Sequence, residues 1–200
     1  SRPQQWETRL PQVGIKSICG EPPVEDIQSG VELAKQYNAD VIVAIGGGSV
    51  VDAGKAIAAM STQPGDLMRY IEVIGEGKAL EALPLPFIAV PTTAGTGAEA
   101  TRNAVIASEK HRVKASLRHL SMLPRIALID PELAIDVPAD VTAASGMDAL
   151  TQCLEAFVCS RAQPMTDALC LDGIQRAVRS LERAFQNGHD LDAREDMALC

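Results

Sequence analysis

The stretch Ala44–Ala56, AIGGGSVVDAGKA, carries an apolar run through three glycines into a series of small and polar residues. DVIVAI (Asp40–Ile45) reads as a strand and SVVDAGKAIAAMS (Ser49–Ser61) as a helix, so Gly46, Gly47 and Gly48 fall at the turn between them. Glycines there let the backbone approach a ligand without Cβ interference. Ser49 is placed to cap the helix, whose first N–H groups would then face an anion over the glycines. A tight turn alone would need only one glycine, which favours phosphate binding over turn geometry. Two familiar loops are excluded. A nucleotide-hydrolysing loop needs four residues between its glycines and a hydroxyl after its lysine; here five separate Gly48 from Gly54, and Ala56 follows Lys55. The dinucleotide fingerprint G-x-G-x-x-G/A fails as well, because Val51 holds its last position.

Outward from this stretch the same alternation continues. GIKSIC (Gly14–Cys19) reads as a strand followed by the turn GEPP, and VEDIQSGVELAKQYN has apolar residues close to a helical period. PFIAV (Pro86–Val90) and RIALID (Arg125–Asp130) read as further strands. Short apolar strands alternating with helices predict a parallel sheet covered on both faces and built of right-handed βαβ units. After Pro138 no strand-like run remains. DVTAASGMDALTQCLEAFVCS, MTDALCLDGIQRAVRSLERAFQNG and DLDAREDMALC read as helices, with Thr166 as a start, Asn187-Gly188 as a stop and Asp190 or Asp192 as a cap. The expected organisation is a Rossmann-like α/β domain over residues 1–137, then the start of an all-helical domain over residues 138–200. The opening Ser1–Pro11 reads like mid-domain sequence, and both ends read as cut from a longer polypeptide.

Composition narrows the function. The 200 residues carry a net charge of −8, which opposes nucleic-acid binding. The apolar runs are too short to cross a bilayer. Cys19, Cys153, Cys159, Cys170 and Cys200 form no C-x-x-C pair, so they fit a reduced cytoplasmic protein with thiols used as small apolar side chains. His111, His119 and His189 read as ordinary surface histidines.

A second glycine-rich stretch, AVPTTAGTGAEATRN, follows the PFIAV strand, and its Gly95, Gly97 and Ala100 match G-x-G-x-x-A. A lone match of this kind is weak, but its position counts, because open α/β sheets bind ligands at the carboxyl ends of their strands. Two such loops suit the two ends of one dinucleotide.

Taken in order, GGGSVVDAGKA, PTTAGTGAE and SGMDALTQCLEAF resemble the iron-containing (group III) alcohol dehydrogenase family, over a span from about Cys19 to Cys200. The resemblance implies a nucleotide-binding domain and a helical domain with the active site between them. It implies NAD(P)-dependent interconversion of alcohols with aldehydes or ketones, and a divalent metal, iron or zinc, held by one aspartate and three histidines. It further implies assembly into dimers or larger homo-oligomers. Gly47, Gly48 and Ser49 match its pyrophosphate loop, and Asp52 an acidic position of the same motif. Thr92, Thr93 and Thr96 match threonines on the nicotinamide side. Lys114 matches a lysine reaching the cofactor, Leu133 a position near the adenosine, and Asp148 the aspartate metal ligand. One position departs: the family reads DALTH where this chain reads DALTQ, so Gln152 stands for a histidine. Asp148 and Gln152 share one helix face, but an amide oxygen is a poorer ligand for iron or zinc than imidazole. Without metal, the amide N–H of Gln152 could polarise a substrate carbonyl. Within the family, the metal-independent maleylacetate reductases are the alternative. Beyond it stand a dehydroquinate-synthase-like lyase, for which the helical segment is short of basic residues, and a non-catalytic dinucleotide binder. NAD precedes NADP in expectation, since Glu21 would repel a 2′-phosphate.

Overall fold

A computed structural model describes residues 13–200, so the reading of Ser1–Pro11 falls outside the described residues. The chain runs α1 (Val24–Gln36), β1 (Ile42–Gly46), α2 (Gly48–Met60), β2 (Phe87–Pro91), β3 (Asn103–Ser108), β4 (Val113–Arg118) and β5 (Ile126–Ala127). Three helices follow: α3 (Ala139–Phe157), α4 (Pro164–Gln186) and α5 (Leu191–Leu199).

β1, β2 and β5 form a parallel sheet in that order, with Ile42 opposite Phe87 and Ile88 opposite Ile126. Helix α2 lies on this sheet closely enough to need glycine. A Cβ on Gly54 would stand 2.7 Å from the Phe87 ring and 2.8 Å from the Ala44 Cβ. The small residues Ala53, Ala56, Ala58 and Ala59 make the rest of α2 almost fully buried. On its far side α1 crosses at Gly30, whose Cβ would meet the Ile57 side chain at 2.4 Å. A second sheet, the antiparallel pair β3–β4, packs Ala104, Ile106, Ala115 and Leu117 into the same core as Ile27, Ile57, Met60 and Tyr70.

Several expectations are corrected. GIKSIC is not a strand; its Ile15 is 84% exposed and the segment is irregular. RIALID shrinks to the two-residue β5. The β3–β4 hairpin is an element not foreseen. The parallel sheet is not covered on both faces among the described residues, because Val43, Ile45 and Ile126 stand half-exposed or more on the side away from α2. Ser49 is not the cap of α2: the N-cap is Gly47, which makes no side-chain cap bond. Helix α4 starts at Pro164 rather than Thr166, since proline suits a first helical position.

The helical region follows the pattern read from the sequence more closely. Asp190 caps α5 by accepting from the Ala193 N–H, and α4 ends at Gln186 with Asn187 as its C-cap. α3 and α4 pack tightly at Gly146, where a Cβ would stand 2.2 Å from Leu181 Cδ1. Buried Arg194 on α5 ties this region to the junction before α3. It donates to Thr142 Oγ1 at 2.9 Å, to the Gly188 carbonyl at 2.9 Å and to the Val137 carbonyl at 3.4 Å.

Candidate functional site

The carboxyl ends of β1 and β2 lie side by side, so the loops that follow them meet. Thr92 N–H donates to the Gly46 carbonyl at 2.9 Å, which fixes the threonine loop (residues 92–97) beside the first glycine turn. The contact tightens further along. A Cβ on Gly48 would stand 2.8 Å from Thr96 Cγ2, and one on Gly47 would stand 3.4 Å from Thr93 Oγ1. The first amides of α2, at Gly48 and Ser49, begin the helix and so lack acceptors within it.

These residues form one wall of a cavity of about 660 Å³. Gly47, Gly48, Ser49, Thr93 and Thr96 line it on one side, and the first turns of α3 (Asp140, Val141, Ala144, Ser145) on the other. Ile18, Gly20 and Glu21 line it as well. Gly20 takes a left-handed φ of 70° in open space, so the bend before α1 brings Glu21 to the cavity. Lys114, on β4, donates to Glu21 Oε1 at 2.7 Å and thereby reaches this cavity through its ion pair.

The threonine loop also borders a second cavity of about 370 Å³. Thr93, Gly95, Glu99, Asp130, Gln152 and Cys153 are among the residues around it. Here the loop touches α3 directly. Gly95 has φ 135°, and a Cβ on it would stand 1.9 Å from the Ser145 carbonyl oxygen, so no other residue fits. Gln152 Nε2 donates to the Gly95 carbonyl at 3.1 Å and to Asp148 Oδ2 at 2.9 Å. The amide N–H groups of Gln152 are therefore engaged within the protein, which corrects the expectation that they polarise a substrate carbonyl.

Beneath the loop lies a buried cation. Lys55 is 1% exposed, and its ammonium donates to the Ala98 carbonyl at 2.8 Å, to Thr101 Oγ1 at 3.0 Å and to the Asn103 carbonyl. It also pairs with Asp52 Oδ1 at 2.9 Å. Burial pulls the Lys55 pKa below the ordinary lysine value, with Asp52 pulling it back. Asp52 uses its other oxygen to accept the Val105 N–H at 2.9 Å. Its carboxylate is thus occupied between α2 and β3, and Asp52 lines neither cavity.

Of the positions singled out in the sequence, Gly47, Gly48, Ser49, Thr93 and Thr96 converge on one cavity. Thr92 supports the loop through its backbone, and Leu133 lies exposed after the Asp130 cap, on neither cavity wall. Asp148 and Gln152 stand together on the exposed face of α3. His119 serves locally, its Nδ1 accepting the Ser121 N–H at 3.2 Å. The anchoring role of Lys55 was not anticipated; the Asp52–Lys55 spacing of one helical turn was its only sequence signal.

This order of motifs is matched by known proteins. A family model described as "Iron-containing alcohol dehydrogenase" matches residues 7–131, and one described as "Fe-containing alcohol dehydrogenase family, C-terminal" matches residues 142–200. The chain belongs to the iron-containing alcohol dehydrogenase family. It is 41% identical over 192 residues to a choline dehydrogenase of Bacillus subtilis (strain 168), covering 96% of this chain and 48% of that protein. A sulfoacetaldehyde reductase from Bifidobacterium kashiwanohense, solved in complex with NAD+, superposes with a TM-score of 0.85 at 34% identity, over 90% of this chain and 47% of that one. A 1,3-propanediol oxidoreductase gives 0.83 at 38% identity, over 90% and 46%. The chain thus spans about half the length of the relatives it matches.

The family's name implies a metal, and this chain offers Asp148 and Gln152 at two of the positions the resemblance gives for its ligands. There Asp148 Oδ2 accepts from the Gln152 amide at 2.9 Å. Among the described residues no group of three or more His, Cys, Asp or Glu could hold a metal ion.

Proposed function

We propose that this chain carries the dinucleotide seat of an NAD(P)-dependent oxidoreductase that interconverts an alcohol with an aldehyde or ketone. The supporting observation is the cavity where the glycine turn of α2 faces Thr93 and Thr96 across from α3. In this reading the amides of Gly48 and Ser49 take the pyrophosphate, aided by the positive end of α2. The missing side chains at Gly47 and Gly48 let the phosphates approach the backbone. Thr93 and Thr96 supply hydroxyls beside the glycines, and the cofactor itself carries the hydride. Ser145 and its neighbours on α3 line the cavity opposite the glycine turn. The side at Glu21 suits the adenosine end. Glu21 there is paired with Lys114 at 2.7 Å, and the cofactor is NAD or NADP.

The split into a dinucleotide-binding domain over residues 1–137 and a helical domain from residue 138 follows the change from strands to helices at Pro138. A cytoplasmic setting suits the five cysteines, all of which are free. Among the described residues no helix is long and apolar enough to cross a membrane. Homo-oligomers belong to the same proposal. The lyase reading finds no support in the family match.

The test is turnover by the full-length protein. Steady oxidation of NADH or NADPH by aldehydes or ketones is the expected result. Cofactor binding without turnover would overturn the enzymatic reading, and NAD-dependent phosphate release would favour a lyase.

A further inference from the structure

We propose that Gln152 is a positioning residue that latches the threonine loop to α3, so that a side-chain amide rather than a cation completes the cofactor seat. The proposal rests on the reading that the cleft takes a nicotinamide dinucleotide.

The orientation of the amide follows from its neighbours. The Gly95 carbonyl and the Asp148 carboxylate are both acceptors, at 3.1 and 2.9 Å from Nε2. Exchanging the amide oxygen and nitrogen would set oxygen against oxygen at both contacts. The loop is then held at three places. Gly95 presses on the backbone of α3 at Ser145, Gln152 grips the Gly95 carbonyl about two turns further along α3, and Lys55 holds the Ala98 carbonyl from below. Between these points lie Thr96 and, just before them, Thr93, the two hydroxyls that face the glycine turn. Without the Gln152 bond the loop would keep its lower anchor and the Gly95–Ser145 contact but lose its only side-chain hydrogen bond to α3 among the described residues, and the threonines would loosen from their register with Gly47 and Gly48.

The same contact explains why a cation is not needed there. Asp148 Oδ2 is occupied by a neutral donor. A divalent ion drawing on Asp148 Oδ2 would compete with the Gln152 amide, and losing that amide would release Gly95.

The experiment uses full-length protein and three readouts: NADH titration with and without a chelator, hydrogen exchange of residues 92–97 without cofactor, and thermal midpoint. Gln152 is exposed, so its substitution leaves the core intact. Gln152→Leu is expected to weaken NADH binding about tenfold and to speed exchange in the loop at an unchanged midpoint. Gln152→Lys, with three donors on a long arm, is expected to restore most of the affinity, a rescue that a general loss of stability would not show. Chelator is expected to leave the unaltered protein's affinity unchanged. Undiminished NADH affinity and unaltered loop exchange in Gln152→Leu would overturn the latch, and so would loss of NADH binding by the unaltered protein in chelator alone. If the unaltered protein binds no NADH with or without chelator, the dinucleotide reading fails, while loop exchange still decides the latch by itself.

Discussion

Replacing Lys55 with methionine tests how the threonine loop is anchored. The lysine side chain is fully buried, and its ammonium serves the Ala98 and Asn103 carbonyls, Thr101 Oγ1 and Asp52 Oδ1. Methionine fills similar volume but supplies no donor. Removing one partner of a buried ion pair costs about 3–5 kcal/mol when the other charge is left uncompensated. Here the loss falls toward the lower end. Asp52 keeps the Val105 N–H and has a side chain 14% exposed, so water reaches part of it. The Ala98 carbonyl also keeps the Thr101 hydroxyl at 3.1 Å. The Asn103 carbonyl loses its charged donor at the start of β3. A loss of about 3 kcal/mol is therefore expected, a large part of the roughly 5–15 kcal/mol that holds a typical domain. Urea denaturation followed by circular dichroism reads it as a lower midpoint at unchanged slope. Because Ala98 closes the threonine loop, NADH affinity should fall as well at denaturant concentrations where the variant stays folded. A stability change under about 1 kcal/mol would refute the anchoring account, since it would mean that the buried ammonium satisfies nothing the fold depends on.

Gly95→Ala places a methyl group 1.9 Å from the Ser145 carbonyl at a φ of 135°, so the loop must leave α3. A loss of about 2–3 kcal/mol in urea melts is expected, with weaker NADH binding, and a neutral effect would refute the close approach. Asp196 gives a pH prediction. Hydrogen bonds from Arg179 and Ser180 hold its carboxyl down at about 2. Its pKa is depressed in the folded chain, so its contribution is complete above the ordinary carboxylate value of 3.8 and is lost as pH falls through about 2. Urea midpoints measured down this range should fall less steeply for Asp196→Asn than for the unaltered protein.

Some of this architecture was legible because it is local. Gly46–Ser49 sits between a β-branched run and an alanine-rich helix, and that order alone implies a strand, a tight turn and a helix start. The hairpin was hidden for the opposite reason. NAVIAS and VKASLR mix polar and small residues with few apolar ones, and they are joined by EKHR, where Arg112 takes the left-handed φ of 53° usually given to glycine or asparagine. GIKSIC has strand-forming residues, yet a strand needs a neighbour, and none of the described residues pairs with it. Continuous apolar strands also do not say how many faces are covered, as Val43 and Ile45 show. In the site, the glycine loops carry their own signal. The roles of Lys55 and Gln152 do not, because each depends on segments far apart in sequence: Lys55 on Asn103, and Gln152 on Gly95. A lysine in an alanine-rich helix reads as surface until the fold buries it.

The central claim is that Gly47, Gly48 and Ser49 seat the pyrophosphate of a nicotinamide dinucleotide against the threonine loop. NADH titration of the full-length protein and of Gly48→Val, followed by cofactor fluorescence, tests it most directly. Thr96 stands 2.8 Å from where a Cβ at Gly48 would lie, so valine there fills the space between the loops. The unaltered protein should bind NADH, and the variant should bind it at least about tenfold more weakly while keeping its helical circular dichroism. Equal affinity in the two proteins would contradict the account.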